Sequence, residues 1–211
     1  MIQTINLFAV DMSKPTFNPK RHVSWSCLSS WEWNKDEWYD KYVLGNRTPP
    51  SAAMLFGNVV GESFATDKPM VKDIITHSHM EYKLTANLGD IKLLGYVDTY
   101  CPKTKSMREY KTSQSMKRWS QKSTNEHGQI TMYALMLHLQ DKVHPDDLTI
   151  HLDHIPTITK QDFTVALKEP ITVNSYKTVR TMGDILRFAA YIQKTHKEMC
   201  KFIPTPPTCI R

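Results

Sequence analysis

Residues 91–111 read IKLLGYVDTYCPKTKSMREYK, two runs of alternating apolar and polar residues on either side of a Pro-Lys-Thr-Lys segment. This pattern predicts two antiparallel strands joined by a turn. With the turn centred on the middle of that segment, Asp98 lies opposite Glu109. Directly opposed residues project from one face of a sheet, and Lys111, two residues further on, projects from the same face. The stretch therefore predicts two carboxylates and one ammonium group side by side.

Such a set of groups has a chemical use. Carboxylate oxygens are the ligands that Mg²⁺ and Mn²⁺ prefer, and a bound metal ion can polarise a phosphodiester and acidify a water molecule. The lysine would orient that water or stabilise developing negative charge. Glu62, on a predicted helix, is a candidate third carboxylate. The plain alternative is a cross-strand surface salt bridge, which contributes little to stability.

The surroundings of Glu109 argue against an ordinary solvated face. Seven basic residues lie between positions 103 and 122, and Glu109 is the only acid among them. A basic belt around a pair of acids is what a phosphate-binding metal site requires. The belt consists of Lys103, Lys105, Arg108, Lys111, Lys117, Arg118 and Lys122.

Composition narrows the class of protein. The chain has 211 residues and a formal net charge of +6, which favours an anionic partner weakly. Four cysteines without a CxxC pair are expected to be reduced thiols, and no iron–sulfur cluster is expected. No apolar run is long enough to span a membrane and the start does not resemble a secretory signal, so we expect a cytoplasmic protein (host cytoplasm for a viral one) with no membrane partner.

Working outward from the hairpin, the periodicity predicts one α/β domain over residues 23–203, with an arm at 1–22 and a tail at 204–211. Ser24 is a predicted helix N-cap, and a helix follows as far as Gly45. A second helix is predicted from Ser51 to about Thr66. Further predicted elements are a strand from about residue 79, a helix at 127–140, strands at 148–154 and 163–167, and a helix at 181–202.

Five short motifs, in this order, resemble those of the PD-(D/E)XK nuclease superfamily, and in particular its RecB-like exonuclease branch, which includes phage proteins. The resemblance covers roughly residues 24–140. The motifs are Ser24-x-Ser26-x-Leu28, Gly57-x-x-x-Gly61-Glu62, Gly95-x-x-Asp98, Glu109-x-Lys111-Thr112 and Gln129-x-x-x-Tyr133.

The resemblance implies a restriction-endonuclease-like core, a mixed central sheet flanked by helices. It also implies Mg²⁺ as cofactor, with Mn²⁺ as a substitute. The implied catalytic residues are Glu62, Asp98, Glu109 and Lys111, the three acids being the metal ligands. The implied DNA-binding residues are Ser26, Thr112, Lys117, Arg118, Lys122, Gln129 and Tyr133.

One departure from the family pattern concerns the metal. The family often has a metal-binding histidine where this chain has Gly61, so Glu62 is left to supply the first-motif ligand. The expected function is a metal-dependent DNA nuclease, an exonuclease of recombination, repair or viral DNA processing that acts on DNA with a free end or a single-stranded region. The alternative is a non-catalytic DNA-binding member of the same fold with a degraded metal site. The oligomeric state stays open.

Overall fold

The hairpin predicted from residues 91–111 lies at the centre of a six-stranded sheet in the computed structural model, which describes residues 15–115 and 117–204. The strands are β1 (His79–Leu88), β2 (Ile91–Cys101), β3 (Ser106–Ser113), β4 (Thr149–Thr159), β5 (Val165–Leu167) and β6 (Asn174–Thr178). The helices are α1 (Trp25–Trp33), α2 (Lys35–Tyr39), α3 (Ala52–Ser63), α4 (Gln121–Asn125), α5 (Gly128–Asp141) and α6 (Met182–Met199). A π-helical turn, Asp40–Leu44, follows α2, and a 3₁₀ turn, Pro145–Asp147, precedes β4.

The sheet is mixed, as predicted. The first three strands pair antiparallel in chain order, and β3 then pairs parallel with β4. Because parallel strands need a crossover connection, α4 and α5 fill the chain between β3 and β4. Along its other edge, β4 pairs antiparallel with β6 and, further along, with β5. The β6 strand was absent from the sequence prediction.

The main core lies where α5 and α6 pack on the sheet. The predicted core positions of α5 are buried: Ile130, Tyr133, Ala134 and Leu137. Most of the predicted α6 stripe is buried too, but Leu186 is 61% exposed, so that part of the prediction was wrong. A smaller cluster of Val60, Phe64, Val71 and Ile155 packs α3 against β4.

The helix predicted after Ser24 is broken. Ser24 caps α1 as predicted, its hydroxyl accepting a hydrogen bond from the Cys27 amide. Asn34 then leaves the helix with φ −156°, and its side-chain oxygen caps α2. An asparagine side chain that satisfies free amides at a helix start competes well with helix continuation.

The ends of the chain are described only in part. Residues 1–14 of the predicted arm and 205–211 of the predicted tail, with Cys209, lie outside the described residues. The described part of the arm packs on the domain, since Phe17 is buried against Trp38 and Pro15 accepts a hydrogen bond from Tyr39. Cys27, Cys101 and Cys200 are free thiols. Within residues 15–115 and 117–204, no helix is long and apolar enough to cross a membrane.

Candidate active site

A cleft of about 1000 Å³ lies between α3 and the middle of the β1–β2–β3 meander. All four residues of the predicted catalytic set line it: Glu62, Asp98, Glu109 and Lys111. Residues that were predicted from three separate motifs therefore have side chains that line one cavity. Thr112, Arg118 and Gln129 line the same cleft.

Asp98 sits where the β2–β3 ladder opens. Thr99 pairs with Arg108, and two further pairs lie nearer the turn. The same register sets Asp98 opposite Glu109, as predicted. Beyond Thr99 the strands are no longer paired. There the Asp98 carboxylate accepts a hydrogen bond of 2.6 Å from the Tyr110 amide. The carboxylate takes the place of a backbone acceptor, which fixes its position at the cleft floor.

Glu109 and Lys111 form the second half of the site. The Lys111 ammonium donates to Glu109 Oε1 at 2.5 Å and to Gln129 Oε1 at 2.9 Å. The Gln129 amide in turn donates to the Tyr133 hydroxyl at 2.8 Å. Glu109 is 2% exposed, whereas the Lys111 side chain is 24% exposed. The lysine is thus held from two sides and still reaches the cleft.

The ionisable groups of the site change one another's pKa values. Burial, together with the nearby Glu109 carboxylate, raises the pKa of Asp98 to about 8. Burial also raises the pKa of Glu109, against the opposing effect of Lys111. Burial alone would favour a neutral lysine, but the Glu109 and Asp98 carboxylates raise the pKa of Lys111, so it stays charged. If both acids were ionised, the single ammonium group would leave an excess of negative charge, and Asp98 avoids this by keeping its proton up to about pH 8.

Two motif glycines are explained by close packing. A Cβ at Gly95 would lie 2.7 Å from the Tyr133 ring, so the glycine lets α5 approach β2. A Cβ at Gly57 would lie 2.9 Å from the Thr112 hydroxyl, so this glycine lets α3 approach β3. Gly61 differs, because nothing lies within 4 Å of its Cβ position. A side chain there would have open space beside the cleft.

The donor set suits a hard divalent cation. Glu109 Oε2 is buried without a hydrogen-bond partner and belongs to a side chain that lines the cleft beside Asp98. A cation at this point would satisfy that oxygen and offset the excess negative charge. In the part of the chain that the structure describes, no group of three or more His, Cys, Asp or Glu side chains forms a ready metal cage. Mg²⁺ does not need one, since it usually keeps several waters and takes one or two protein carboxylates.

The other predicted site residues differ in their exposure and in whether they line the cleft. Glu62 lines the cleft from α3 but is exposed. Tyr133 is 5% exposed and does not line the cleft, so it positions Gln129 and presents no surface to DNA. Ser26 lies on the exposed side of α1, bonded to Ser24 and Tyr42, outside the cleft lining.

The predicted basic belt is only partly accessible. Lys117, Arg118 and Lys122 are exposed, and of the three Arg118 lines the cleft. The prediction that Arg108 belongs to this belt was wrong. Arg108 is 7% exposed and forms a 2.7 Å ion pair with Asp153, so it is not a phosphate-binding residue. The alternation that exposes Glu109 to the cleft directs its neighbour Arg108 to the other side of β3.

Sequence reasoning missed one carboxylate of the cleft. Glu81, the third residue of β1, lines the cavity with the predicted acids. Its backbone φ is +49°, in the left-handed region that side chains rarely adopt. No motif marks it, and a strand interior gives no sequence signal for a left-handed residue.

Comparisons with known proteins show the fold. Neither the protein-family models nor the curated protein sequences give a match to this chain. Among solved structures, a protein of Eubacterium rectale with a provisional exonuclease name is similar at a TM-score of 0.57 and 11% identity, over 90% of this chain and 85% of that chain. A phage-related exonuclease from Haemophilus somnus 129PT is less similar, at a TM-score of 0.44 and 10% identity, over 83% of this chain and 80% of that chain. The likeness to the first establishes a shared α/β architecture, and the second adds nothing to it.

Proposed function

We propose that this protein is a Mg²⁺-dependent DNA nuclease that hydrolyses phosphodiester bonds in the cleft between α3 and β3. The observation that carries the proposal is the buried, unpartnered Glu109 Oε2 beside Asp98 and a charged Lys111. A structural ion pair does not need a second carboxylate, an open cavity and a free oxygen. The provisional exonuclease name of the Eubacterium rectale protein that shares the fold supports the same direction.

In this proposal Asp98 and Glu109 hold the cation, and Glu62 adds a carboxylate from the opposite wall. A bound Mg²⁺ would supply a Lewis acid for the phosphate and lower the pKa of an attacking water. The Tyr110 amide orients Asp98 through its 2.6 Å hydrogen bond. Because metal binding requires ionised ligands, Asp98 would have to be deprotonated to hold the cation.

Lys111 is the proposed electrostatic catalyst. Its ammonium is fixed by Glu109 and Gln129 at 2.5 and 2.9 Å, so it does not need to reorganise when charge develops. It faces the non-bridging oxygens of the scissile phosphate or the attacking water. Water adds to phosphorus while the bond to the leaving sugar oxygen breaks, and one strand becomes a phosphate end and a hydroxyl end.

The basic residues beside the cleft are the proposed backbone contacts. Arg118, Thr112 and Gln129 line the cavity, and Lys117 and Lys122 are exposed on either side of Arg118 in the sequence. Phosphate contacts of this kind give affinity without sequence preference. We therefore propose DNA with a free end or single-stranded region as the partner, and an exonuclease role in recombination, repair or viral DNA processing.

Two observations favour the alternative, a DNA-binding protein without activity. The described residues hold no complete metal cage, and Gly61 lacks the histidine that the resembling family often carries. The two functions differ in turnover, not in DNA affinity.

Digestion of end-labelled linear DNA and closed circular DNA, each with Mg²⁺, Mn²⁺ or EDTA, tests the proposal. An exonuclease shortens the linear DNA from its ends with either cation, leaves the circle intact and does nothing in EDTA. Cleavage of the circle would replace the exonuclease by an endonuclease. A protein that binds both DNAs and cuts neither, with any cation, supports the non-catalytic alternative.

A further inference from the structure

Glu81 occupies an unusual place in β1. Its neighbours Met80 and Tyr82 pair with Thr99 and Val97, so the register sets Glu81 opposite Asp98. Glu81 is nevertheless unpaired, and its φ of +49° lies in the left-handed region. A β-strand interior rarely contains such a residue, and outliers of this kind gather where a side chain must be placed for function.

The left-handed residue changes which way β1 faces. Met80 packs against the smaller cluster that contains Phe64 and Tyr110, whereas Tyr82 packs against the main core near Tyr100. Residues two apart in a regular strand share one face. The strand therefore switches faces at Glu81, and this switch is what allows Glu81 to line the cleft.

Glu81 is set beside both predicted cation ligands. The β1–β2 register places it opposite Asp98, and it lines the cleft together with Glu109. Glu62, the acid predicted from the motif, lines the cleft from α3, and the side chains of Glu62 and Glu81 are both exposed. The buried, unpartnered Glu109 Oε2 is an independent sign that a cation belongs between these carboxylates.

We propose that Glu81 is an additional cation-binding carboxylate of the site, delivered from β1 by its left-handed backbone. The inference rests on the proposed function and names one further ligand for the same divalent cation. Asp98, Glu109 and Glu81 would then contribute oxygens from three neighbouring strands, while Lys111 remains beside Glu109. Because the described residues form no ready cage of three such ligands, water would complete the coordination, as it does for Mg²⁺ and Mn²⁺ held by few carboxylates.

Calorimetric titration of the full chain with Mn²⁺, without DNA, tests the proposal independently of activity. Glu81→Gln keeps the shape of the side chain and removes its charge, and Glu198→Gln makes the same change at an exposed position of α6 outside the cleft. We expect Glu81→Gln to weaken Mn²⁺ affinity by more than about tenfold, since even an outer-shell partner is worth about 10- to 100-fold. Glu198→Gln should bind Mn²⁺ as the wild type does.

The outcomes separate the two proposals. If the wild type binds Mn²⁺, Asp98→Asn does not and Glu81→Gln matches the wild type, the role of Glu81 is overturned and the nuclease proposal stands. If the wild type binds no Mn²⁺, both are overturned. Loss of binding in Asp98→Asn and in Glu81→Gln together supports both.

Glu81→Gly distinguishes loss of the carboxylate from disturbance of the strand as the cause of weaker Mn²⁺ binding. Glycine adopts positive φ without steric cost, so it relieves the strained backbone while removing the carboxylate. We expect a melting temperature in EDTA above that of the wild type, together with the same loss of Mn²⁺ affinity. A variant that is more stable and still binds Mn²⁺ as tightly as the wild type would overturn the proposal.

Discussion

Two buried clusters of charged side chains include adjacent residues of β3, and they differ in whether their positive and negative charges balance. Arg108 and Asp153 form a 2.7 Å pair whose side chains are 9% and 1% exposed, one positive charge against one negative. Next to it, Glu109 shares Lys111 with Asp98 in an open cleft, with more acids than bases. The first cluster is complete in itself, whereas the second has a carboxyl group left over, which in our proposal takes up a cation.

Unsatisfied atoms alone do not distinguish the clusters. Arg108 Nε and Asp153 Oδ1 are buried without partners, just as Glu109 Oε2 is. In the closed pair, however, the two atoms belong to opposite charges that compensate each other. The surplus carboxyl group and the access to solvent make the Glu109 cluster the candidate site, whereas the balanced charges of the closed pair are those of a structural element.

The largest effect is expected for Lys111→Met. Cleavage should fall by about 10²- to 10³-fold, because the ammonium acts where charge develops in the transition state. DNA affinity should change by no more than about tenfold, or about 1.4 kcal/mol, because phosphate contacts are spread over several other residues. Binding in Ca²⁺ and cleavage in Mg²⁺ measure the two quantities. Lys194→Met, at an exposed position of α6, is the control and should alter neither.

Breaking the closed cluster should affect the fold instead. Arg108→Met leaves Asp153 charged and buried, which costs about 3–5 kcal/mol of unfolding free energy. Arg108→Met with Asp153→Leu removes both charges and should recover most of that loss. Chemical denaturation of both variants measures the difference. If the double variant is as unstable as the single one, the pair is not the isolated structural unit described above.

The excess negative charge predicts a pH dependence of stability. The native pKa of Asp98, about 8, lies above the ordinary value of 3.8 for an aspartic acid, so native protein retains a proton that unfolded protein has lost. Between about pH 4 and pH 8 this group therefore makes the metal-free protein less stable as pH rises, by at most about 1.4 kcal/mol per unit. The histidines with lowered pKa, such as His127, act in the opposite direction at lower pH, so wild type must be compared with Asp98→Asn.

That comparison uses denaturation in EDTA from pH 5 to 9. The wild-type stability minus that of Asp98→Asn should decrease steadily toward pH 8. Mg²⁺ should remove the decrease, since a bound cation takes the place of the proton. A constant difference across the range would show that Asp98 is not under electrostatic stress.

The smallest effect is expected from Gly61→His. The Cβ position of Gly61 is open and beside the cleft, so a histidine fits without displacing any neighbour. It should increase Mn²⁺ affinity several-fold by adding a ligand on the Glu62 side. Gly61→Ala is the matched control, because both changes stabilise α3 by about 0.5–1 kcal/mol through helix propensity. Equal Mn²⁺ affinity in the two variants would exclude this side of the cleft from the cation site.

Local patterns account for what could be predicted from the sequence. The alternation of apolar and polar residues and the position of one turn predict that Asp98 lies opposite Glu109, because the register of a hairpin is determined by its own residues. Helix α5 was placed to within one residue at each end, since a continuous apolar stripe identifies it. These features do not depend on distant parts of the chain.

The remaining features depend on contacts between distant segments. The pairing of β6 with β4 and the burial of Arg108 by Asp153 join residues far apart in sequence. The left-handed φ of Glu81 occurs where its neighbours Met80 and Tyr82 enter two different clusters, and each cluster is assembled from distant segments. The predicted helix at 24–45 failed for a local reason, because the capping ability of Asn34 was overlooked.

The central claim is that a divalent cation held by Asp98 makes the cleft hydrolytic. The most direct measurement compares wild type with Asp98→Ala on end-labelled linear DNA, in Mg²⁺ and in EDTA, with circular dichroism to show that both are folded. We predict product only for the wild type in Mg²⁺. Undiminished cleavage by Asp98→Ala, or full wild-type activity in EDTA, would contradict the claim.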